Sequence, residues 1–420
     1  MGSFTTKDGI TAAVDALNTA MRALEEAPAG ADEAIARRNL RLEATKLAMS
    51  LGDPNEDVWP RIFQVNVSVA IEIVTNLGLW DAFAGGATVT LMGVVERSGA
   101  DEMMISKFSE QETPRTVFLA SVPELTHPLV RIMQQLTAAG ILADMPGPGY
   151  RVTSVGRPYL DQTHRAFNSF VLQEVIPSVC AMPRTLAERG YKSPTSDSGT
   201  PFKWANGEEL WTFLGSHPQR AQNMVMGMKS LNTGSLAGDA YPFGEELAKL
   251  DIKADEVAIV DIAGGQGHIM DEVHKLNPQL KGRIIVQDLP STFEAVPGPP
   301  KGVEFMPYDM FTPQPVKDAH VYYYRHILHD WNDTDASRLL QQLVPVLRAQ
   351  PWSKLLIVDM VLPDVNVGML EAVRDISMFP IGGLERNERQ WRQLLADNGL
   401  KIRKIWRGSE PEACIECELA

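Results

Sequence analysis

The chain has 420 residues, 44% of them hydrophobic and 22% charged, with 39 Lys and Arg against 53 Asp and Glu for a net charge of −14. At roughly 100–200 residues per domain this length predicts two or three domains, and a composition so close to the globular average excludes global disorder. The acidic balance excludes nucleic acid as the main partner, which needs a basic face, and no stretch approaches the roughly 18–20 apolar residues of a membrane span.

The first residues, MGSFTTKDGI, carry neither the basic region nor the apolar run of a signal peptide. Three cysteines make no disulfide framework. Together they predict a cytoplasmic protein. Thr11 to Ala27 and Ala31 to Met49 place apolar residues at helical spacing, and Pro54 breaks the run. A third helix, Arg61 to Leu77, is apolar around most of its circumference, which predicts burial between domains or subunits. Leu129, Ile132, Met133 and Leu136 fall at i, i+3, i+4 and i+7, with Gly140 as a stop. Ile141–Ala143, a Pro/Gly turn at Met145–Gly149 and the alternating Tyr150–Thr153 then read as a hairpin. Helix followed by hairpin resembles a winged-helix module. The charge balance assigns it to dimerisation rather than DNA.

Asp161 to Leu250 reads as further helices and loops, with a Ser/Thr/Pro/Gly-rich loop at Tyr191–Pro201. Gln219 to Lys229 is methionine-rich (Met224, Met226, Met228), which reads first as core packing and second as an adaptable pocket wall. From Glu256 short apolar runs alternate with helical stretches. Val257–Ile262, Ile284–Gln287, Val321–Tyr324 and Leu355–Met360 predict buried parallel strands, and so an α/β doubly wound sheet. Lys401–Trp406 and Cys414–Leu419 flank Arg407–Pro411 as an antiparallel hairpin. Cys414 and Cys417 form a C-x-x-C, but residues three apart on a strand point to opposite faces, so they read as structural.

The first of those strands runs into Asp261-Ile-Ala-Gly264-Gly265-Gln-Gly267-His268. Glycines at a strand–helix turn let the backbone approach a ligand closely. The dinucleotide fingerprint needs a small third residue, and counting from Gly265 that position is Met270, so the nicotinamide pattern fails. Asp288, 21 residues beyond Gly267 at the tip of the second strand, suits the two ribose hydroxyls of an adenosine; the alternative is an Asp opening a turn before Pro290. In Tyr308-Asp309-Met310-Phe311, Asp309 is placed to accept from an adenine amino group. Together the glycines, Asp288 and Asp309 point to an adenosine ligand without a pyrophosphate, which is the demand that S-adenosylmethionine (SAM) makes.

Arg325-His326-Ile-Leu-His329-Asp330-Trp331 follows the third strand, whose carboxyl end faces the ligand crevice. A histidine there can accept a proton near pH 7. His326 and His329 raise the question of a metal, but no third ligand stands at a recognisable spacing, so none is predicted. Asp359, on the strand Leu355–Met360, and Glu385, in the loop before a helix that Asn387 can cap, are acids of the kind that fixes a histidine tautomer.

The run GGQG, DLP, DMF, RHILHDW, VDMVLP, GGLERNERQW resembles the SAM-dependent O-methyltransferases of plant caffeate type, in particular their fungal secondary-metabolite branch. The resemblance covers residues 55–420 and is strongest from 256 onward. It implies a homodimer with a winged-helix dimerisation domain (1–160) and a Rossmann-like SAM-binding catalytic domain (161–420), independent of metal. It also implies that Gly264, Gly265 and Gly267 line the methionine end of SAM, that Asp288 binds the ribose and Asp309 with Met310 the adenine, and that Arg325 stands beside the cofactor. His329 matches the general base, and Asp359 and Glu385 the two acids that orient it. Met224, Met228 and Leu231 match acceptor-pocket positions, and with Met378 and Phe379 they suggest a flat aromatic or polyketide-like hydroxyl compound. Three features depart from the family pattern. The first acid is Asp where plant members usually have Glu, Ala263 replaces the leading glycine, and Glu102–Glu124 has no counterpart.

Two rival readings stand beside methyl transfer. Some fungal relatives of this fold are SAM-dependent pericyclases, which keep the cofactor as a positive charge. An intact His329 favours methylation, while His164, before an apolar helix, is a polar group that such a reaction can use. The other rival is a non-catalytic winged-helix regulator that senses SAM, against which the charge and the near-complete catalytic set both argue.

Overall fold

The computed structural model describes residues 7–53, 55–90, 93, 128–146, 149–194, 199–230, 241–294, 296–408 and 412–420; the segment Glu102–Glu124 lies outside them. The chain forms two compact units, one from Met1–Leu51, Ser178–Leu210 and Gly234–Ala420, the other from Gly52–Pro177 and Trp211–Thr233. This interleaved division differs from a single boundary between residues 160 and 161. The first two helices, Lys7–Glu26 and Ala31–Leu51, belong to the larger unit, where Arg38 pairs with Glu371. The helix Pro218–Ser230 belongs to the smaller one. There it lies on the helix Gln162–Phe170 so closely that a Cβ on Gly227 would stand 2.7 Å from the Phe167 Cα.

In the smaller unit β1 (Val89–Thr90), β2 (Leu142–Met145) and β3 (Gly149–Val152) form an antiparallel sheet in the order β1-β3-β2, so the expected hairpin is present. Its core gathers Ile71, Val74, Leu79, Trp80, Phe83, Met133, Leu136 and Leu142. The helix expected over Arg61–Leu77 is broken into Val58–Ile62 and Val65–Asn76. Only Ala70, Ile71, Glu72 and Val74 are buried on the second piece, while Trp59, Ile62, Phe63 and Val65 are exposed. A helix apolar all round has more surface than one core can cover, and the smaller unit's core takes one face. Among the described residues no single helix is long and apolar enough to cross a membrane.

The larger unit is built on a sheet of β4 (Val257–Ile262), β5 (Arg283–Asp288), β6 (Val303–Pro307), β7 (Val321–Arg325), β8 (Lys354–Leu362), β9 (Arg386–Asn387), β10 (Leu400–Arg407) and β11 (Glu412–Leu419). The order is β10-β11-β8-β7-β4-β5-β6, with β9 beside β8. β4 to β8 run parallel, and β11 is antiparallel to both β8 and β10. The four apolar runs and the terminal hairpin predicted from sequence are all strands. β6 was not predicted. It is an edge strand that alternates inward Val303 with exposed Glu304 and is bracketed by Pro300 and Pro307, so it shows no continuous apolar run. Cys414 and Cys417 are buried in different cores, as the strand period requires. The chain leaves β4 toward β5 on one side and returns through β7 on the other. Their carboxyl ends therefore border the crevice where such sheets bind ligands.

Candidate active site

Three tight turns shape the carboxyl end of β4. Ala263 takes a left-handed φ of 58° and Gly265 one of 59°, so the residue where the family has glycine carries real backbone strain. A Cβ on Gly264 would lie 2.2 Å from an Asp261 carboxylate oxygen. Glycine is thus what lets the loop close over that buried acid. Gly267, at φ 77°, opens the helix His268–Leu276. The Gly265 N–H donates to Asp288 Oδ2 at 2.8 Å, while Asp288 Oδ1 accepts from Leu289 N–H and Thr292 Oγ1, each at 2.7 Å. Asp288 therefore both opens the turn before Pro290 and closes on the glycine loop. Oδ1 is thus fully used, and Oδ2 keeps one lone pair for a ribose hydroxyl. Asp309 is exposed and accepts from Phe311 N–H at 3.0 Å; Met310 beside it is half-buried. A tight loop that needs glycine at 264, with Asp261, Asp288 and Asp309 nearby on the strand ends, fits a ligand with a diol and positive charge, as SAM has.

The second group hangs from β7 and β8. His329 sits on a short turn after β7, and its Nδ1 lies 2.8 Å from Glu385 Oε1. Gly383 makes this possible, because a Cβ there would strike the His329 carbonyl oxygen at 2.3 Å. The Leu384 N–H donates to that same carbonyl at 2.8 Å, and the Glu385 N–H to Asp375 Oδ1 at 2.9 Å. Asp359, fully buried on β8, comes only within 3.8 Å of His329 Nδ1. Of the two acids, only Glu385 comes within hydrogen-bonding distance of the ring. The shorter Asp side chain acts on His329 through its charge, and among the described residues neither of its oxygens accepts a hydrogen bond. His329 Nε2 faces Asp330 Oδ1 at 3.5 Å.

Charge sets the protonation of this cluster. Burial works to lower the His329 pKa, but the Asp359, Asp330 and Glu385 carboxylates outweigh it and push it up to about 10. Burial dominates for the acids, pushing Asp359 up to about 7 and Asp330 up to about 6 against the pull of His329. Burial would raise Glu385 too, yet the hydrogen bond and charge of His329 hold it below the usual carboxylate range. His326 goes the opposite way: burial and the neighbouring Arg325 push it down to about 4 despite Glu412. These surroundings thus favour the protonated form of His329 and the neutral form of His326.

Several residues here escaped the sequence reading. Glu412, at the start of β11, receives Arg325 Nη2 at 3.0 Å, His326 Nε2 at 3.1 Å and Arg374 Nη1 at 3.2 Å. Arg386 is wholly buried. It donates to the Leu328 and Trp331 carbonyls at 2.9 and 2.8 Å and to Asp333 at 2.9 Å, pinning the turn on both sides of His329. Asp261 lies inside an apolar strand, where burial pushes its pKa up to about 8. A charged residue within an otherwise apolar run was the available signal for Asp261, and an Arg directly before a helix cap for Arg386.

Of the expected acceptor-pocket residues, Met378 lies half-buried at the end of the helix Met369–Met378, and its carbonyl accepts from Gly383 N–H at 3.1 Å. His164, Met224 and Met228 belong to the smaller unit. Met224, Met226 and Met228 are half-buried rather than core. His164 sits in the first turn of its helix with a buried Nδ1 that has no hydrogen-bond partner among the described residues. Leu231 lies outside the described residues.

A family model for the O-methyltransferase domain matches residues 191–401. Demethylsterigmatocystin 6-O-methyltransferase of Aspergillus flavus is 31% identical over 329 residues, spanning 77% of this chain and 84% of that one. The chain belongs to the O-methyltransferase family. O-methyltransferase opaF of Aspergillus ustus is 30% identical over 298 residues, 69% of this chain and 71% of its own. Among solved structures, LepI in complex with SAM superposes with a TM-score of 0.81 at 22% identity, covering 99% of this chain and 100% of LepI. OxaC in complex with SAH and oxaline gives 0.77 at 23%, with the same coverage. These likenesses show the fold. The protein is a SAM-dependent O-methyltransferase, and SAM is its cofactor.

Proposed function

We propose that the enzyme methylates a hydroxyl of a small aromatic or polyketide-like secondary metabolite, with His329 as general base. The observation that carries this reading is the hydrogen bond from His329 Nδ1 to buried Glu385, which leaves Nε2 as the proton-accepting nitrogen. SAM, when bound, supplies an already activated methyl and a positive charge. Gly264, Gly265 and Gly267 give it backbone contact, Asp288 takes the ribose, Asp309 and Met310 the adenine, and Arg325, fixed by Glu412, stands beside it. Met378 and Phe379, which lead into the loop carrying Glu385, give an apolar wall to a flat acceptor.

His329 removes the hydroxyl proton, and Glu385 stabilises the resulting imidazolium. Its resting state is already the cation, so a proton leaves first, and an adjacent sulfonium charge favours that loss. Alignment of two reactants supplies roughly 7–11 kcal/mol, and a general base about 10²–10⁴-fold. Positioning therefore carries more of the rate, and His329 decides which hydroxyls react. His329→Ala keeps SAM binding in calorimetry and loses about 10²–10⁴ in turnover; unchanged turnover overturns the assignment.

A second reading draws on the carboxylates of Glu385, Asp330 and Asp359, which stand 2.8, 3.5 and 3.8 Å from the His329 ring nitrogens. An imidazolium that persists at neutral pH is a proton donor, as a dehydration or cycloaddition with SAM retained would use. Its products carry no new methyl. We also read the enzyme as a homodimer. Trp59, Ile62, Phe63 and Val65 in the smaller unit form an exposed apolar stripe, and Met369, Leu370, Val373 and Ile376 form another in the larger. A monomer rarely leaves patches of this kind uncovered. Light scattering should give twice the chain mass.

A further inference from the structure

We propose that His326, His329 and Asp359 form a binding site for a divalent ion of the zinc class. One ligand atom from each lies within 4.8 Å of the others. His326 Nδ1 and His329 Nδ1 each stand 3.8 Å from the same oxygen, Asp359 Oδ1. Asp359 is completely buried, and neither of its oxygens accepts a hydrogen bond among the described residues. Its charge is met by the two histidine rings at 3.8 Å, but its hydrogen-bonding capacity is unused, and a ligand between them would use it.

The donor set suits the ion. Two imidazoles and a carboxylate are borderline ligands that favour zinc, cobalt or nickel over magnesium or calcium. Tetrahedral bonds of about 2.0–2.1 Å space ligands about 3.4 Å apart. The two 3.8 Å edges to Asp359 then close by a few tenths of an ångström, and the histidine–histidine edge, within 4.8 Å, by up to about 1.4 Å through side-chain rotation. The outer contacts are also in place. His326 presents Nδ1 to the centre because Nε2 is held by Glu412 at 3.1 Å, and Glu412 is itself held by Arg325 and Arg374. That is the carboxylate–histidine–metal arrangement which orients a ligating ring. The three protein ligands leave the fourth tetrahedral position to water. Sequence spacing missed this site because Asp359 comes from the next strand.

The ion does not assist methyl transfer. To ligate, His329 Nδ1 must lose the proton it shares with Glu385, which passes to solvent, and give up that hydrogen bond, so ion and catalytic arrangement exclude each other. The site itself rests only on these distances, whereas its consequence, inhibition, rests on the proposed role of His329.

The test adds Co²⁺ to the metal-free full-length protein, reads the visible absorption of tetrahedral Co²⁺, and displaces it with Zn²⁺. One ion per chain is expected. His326→Ala should weaken Co²⁺ binding at least 10-fold, and His326→Gln, which keeps the side-chain bulk, should do the same if the alanine variant folds poorly. Zn²⁺ should slow methyl transfer by the wild type, and each variant should need at least 10-fold more Zn²⁺ for the same fractional slowing of its own metal-free rate. No bound ion, or an ion bound equally well without His326, overturns the site. An ion bound through His326 with turnover untouched confirms the site and overturns His329 as base.

Discussion

Replacing Glu385 by Gln removes one negative charge from His329 and leaves a side chain of the same size. In the wild type the Glu385 carboxylate is 1% exposed and 2.8 Å from His329 Nδ1. A hydrogen bond between charged groups is worth about 1.5–3 kcal/mol net, and one pKa unit is 1.36 kcal/mol. Losing it should lower the His329 pKa by about 1–2 units from its present position near 10. The sign follows from the role. A raised pKa keeps His329 protonated and unable to accept a proton until the pH approaches that value, so wild-type activity climbs on the alkaline side. The assay is the pH dependence of kcat/KM for SAM, which reports groups of the free enzyme. In Glu385→Gln the rising limb should move to lower pH by about 1–2 units, while the plateau falls because a less basic imidazole is a poorer base. A limb that stays in place, or moves to higher pH, would refute the claim that Glu385 sets the proton affinity of His329.

Other predictions follow from the same geometry. Asp288→Asn keeps the shape of the side chain but not its charge, and should weaken SAM binding about 10- to 100-fold, read by calorimetry. Gly383→Ala drives a Cβ into the His329 carbonyl. It should lower both the unfolding midpoint and turnover, and a variant with wild-type turnover would contradict the close approach. Ala263→Gly relieves a left-handed alanine and should raise unfolding free energy in a denaturant titration by up to about 1 kcal/mol. Asp359→Glu adds one methylene, enough to reach hydrogen-bonding distance of His329 Nδ1 from the present 3.8 Å. It should push the pH limb further alkaline, opposite to the Glu385→Gln shift.

The sheet was legible because its central strands are buried on both faces and read as unbroken apolar runs, as in Val257–Ile262 and Leu355–Met360. β6 was not, because an edge strand half-open to solvent alternates and its prolines look like loop. The glycine turn, Asp288 and His329 were legible because each lies at the end of a strand whose position the pattern gives. Glu412 and Arg386 were not, because their role comes from tertiary contacts: Glu412 meets Arg325 across 87 residues of chain, and Arg386 reaches Leu328 across 58. The gap between Asp359 and His329 depends on backbone placement that no spacing rule contains. Equally, the break at Phe63 and Gln64 reflects how much apolar surface one core can cover, which helical periodicity alone does not say.

The central claim is that a methyl group moves from SAM to an acceptor hydroxyl. Incubating the enzyme with SAM carrying a trideuterated methyl and a panel of hydroxylated aromatic compounds, then weighing products by mass spectrometry, tests it most directly. The expected product is heavier by one trideuteromethyl group on oxygen, with one S-adenosylhomocysteine formed for each. A product formed with no label gained and SAM left intact would contradict it.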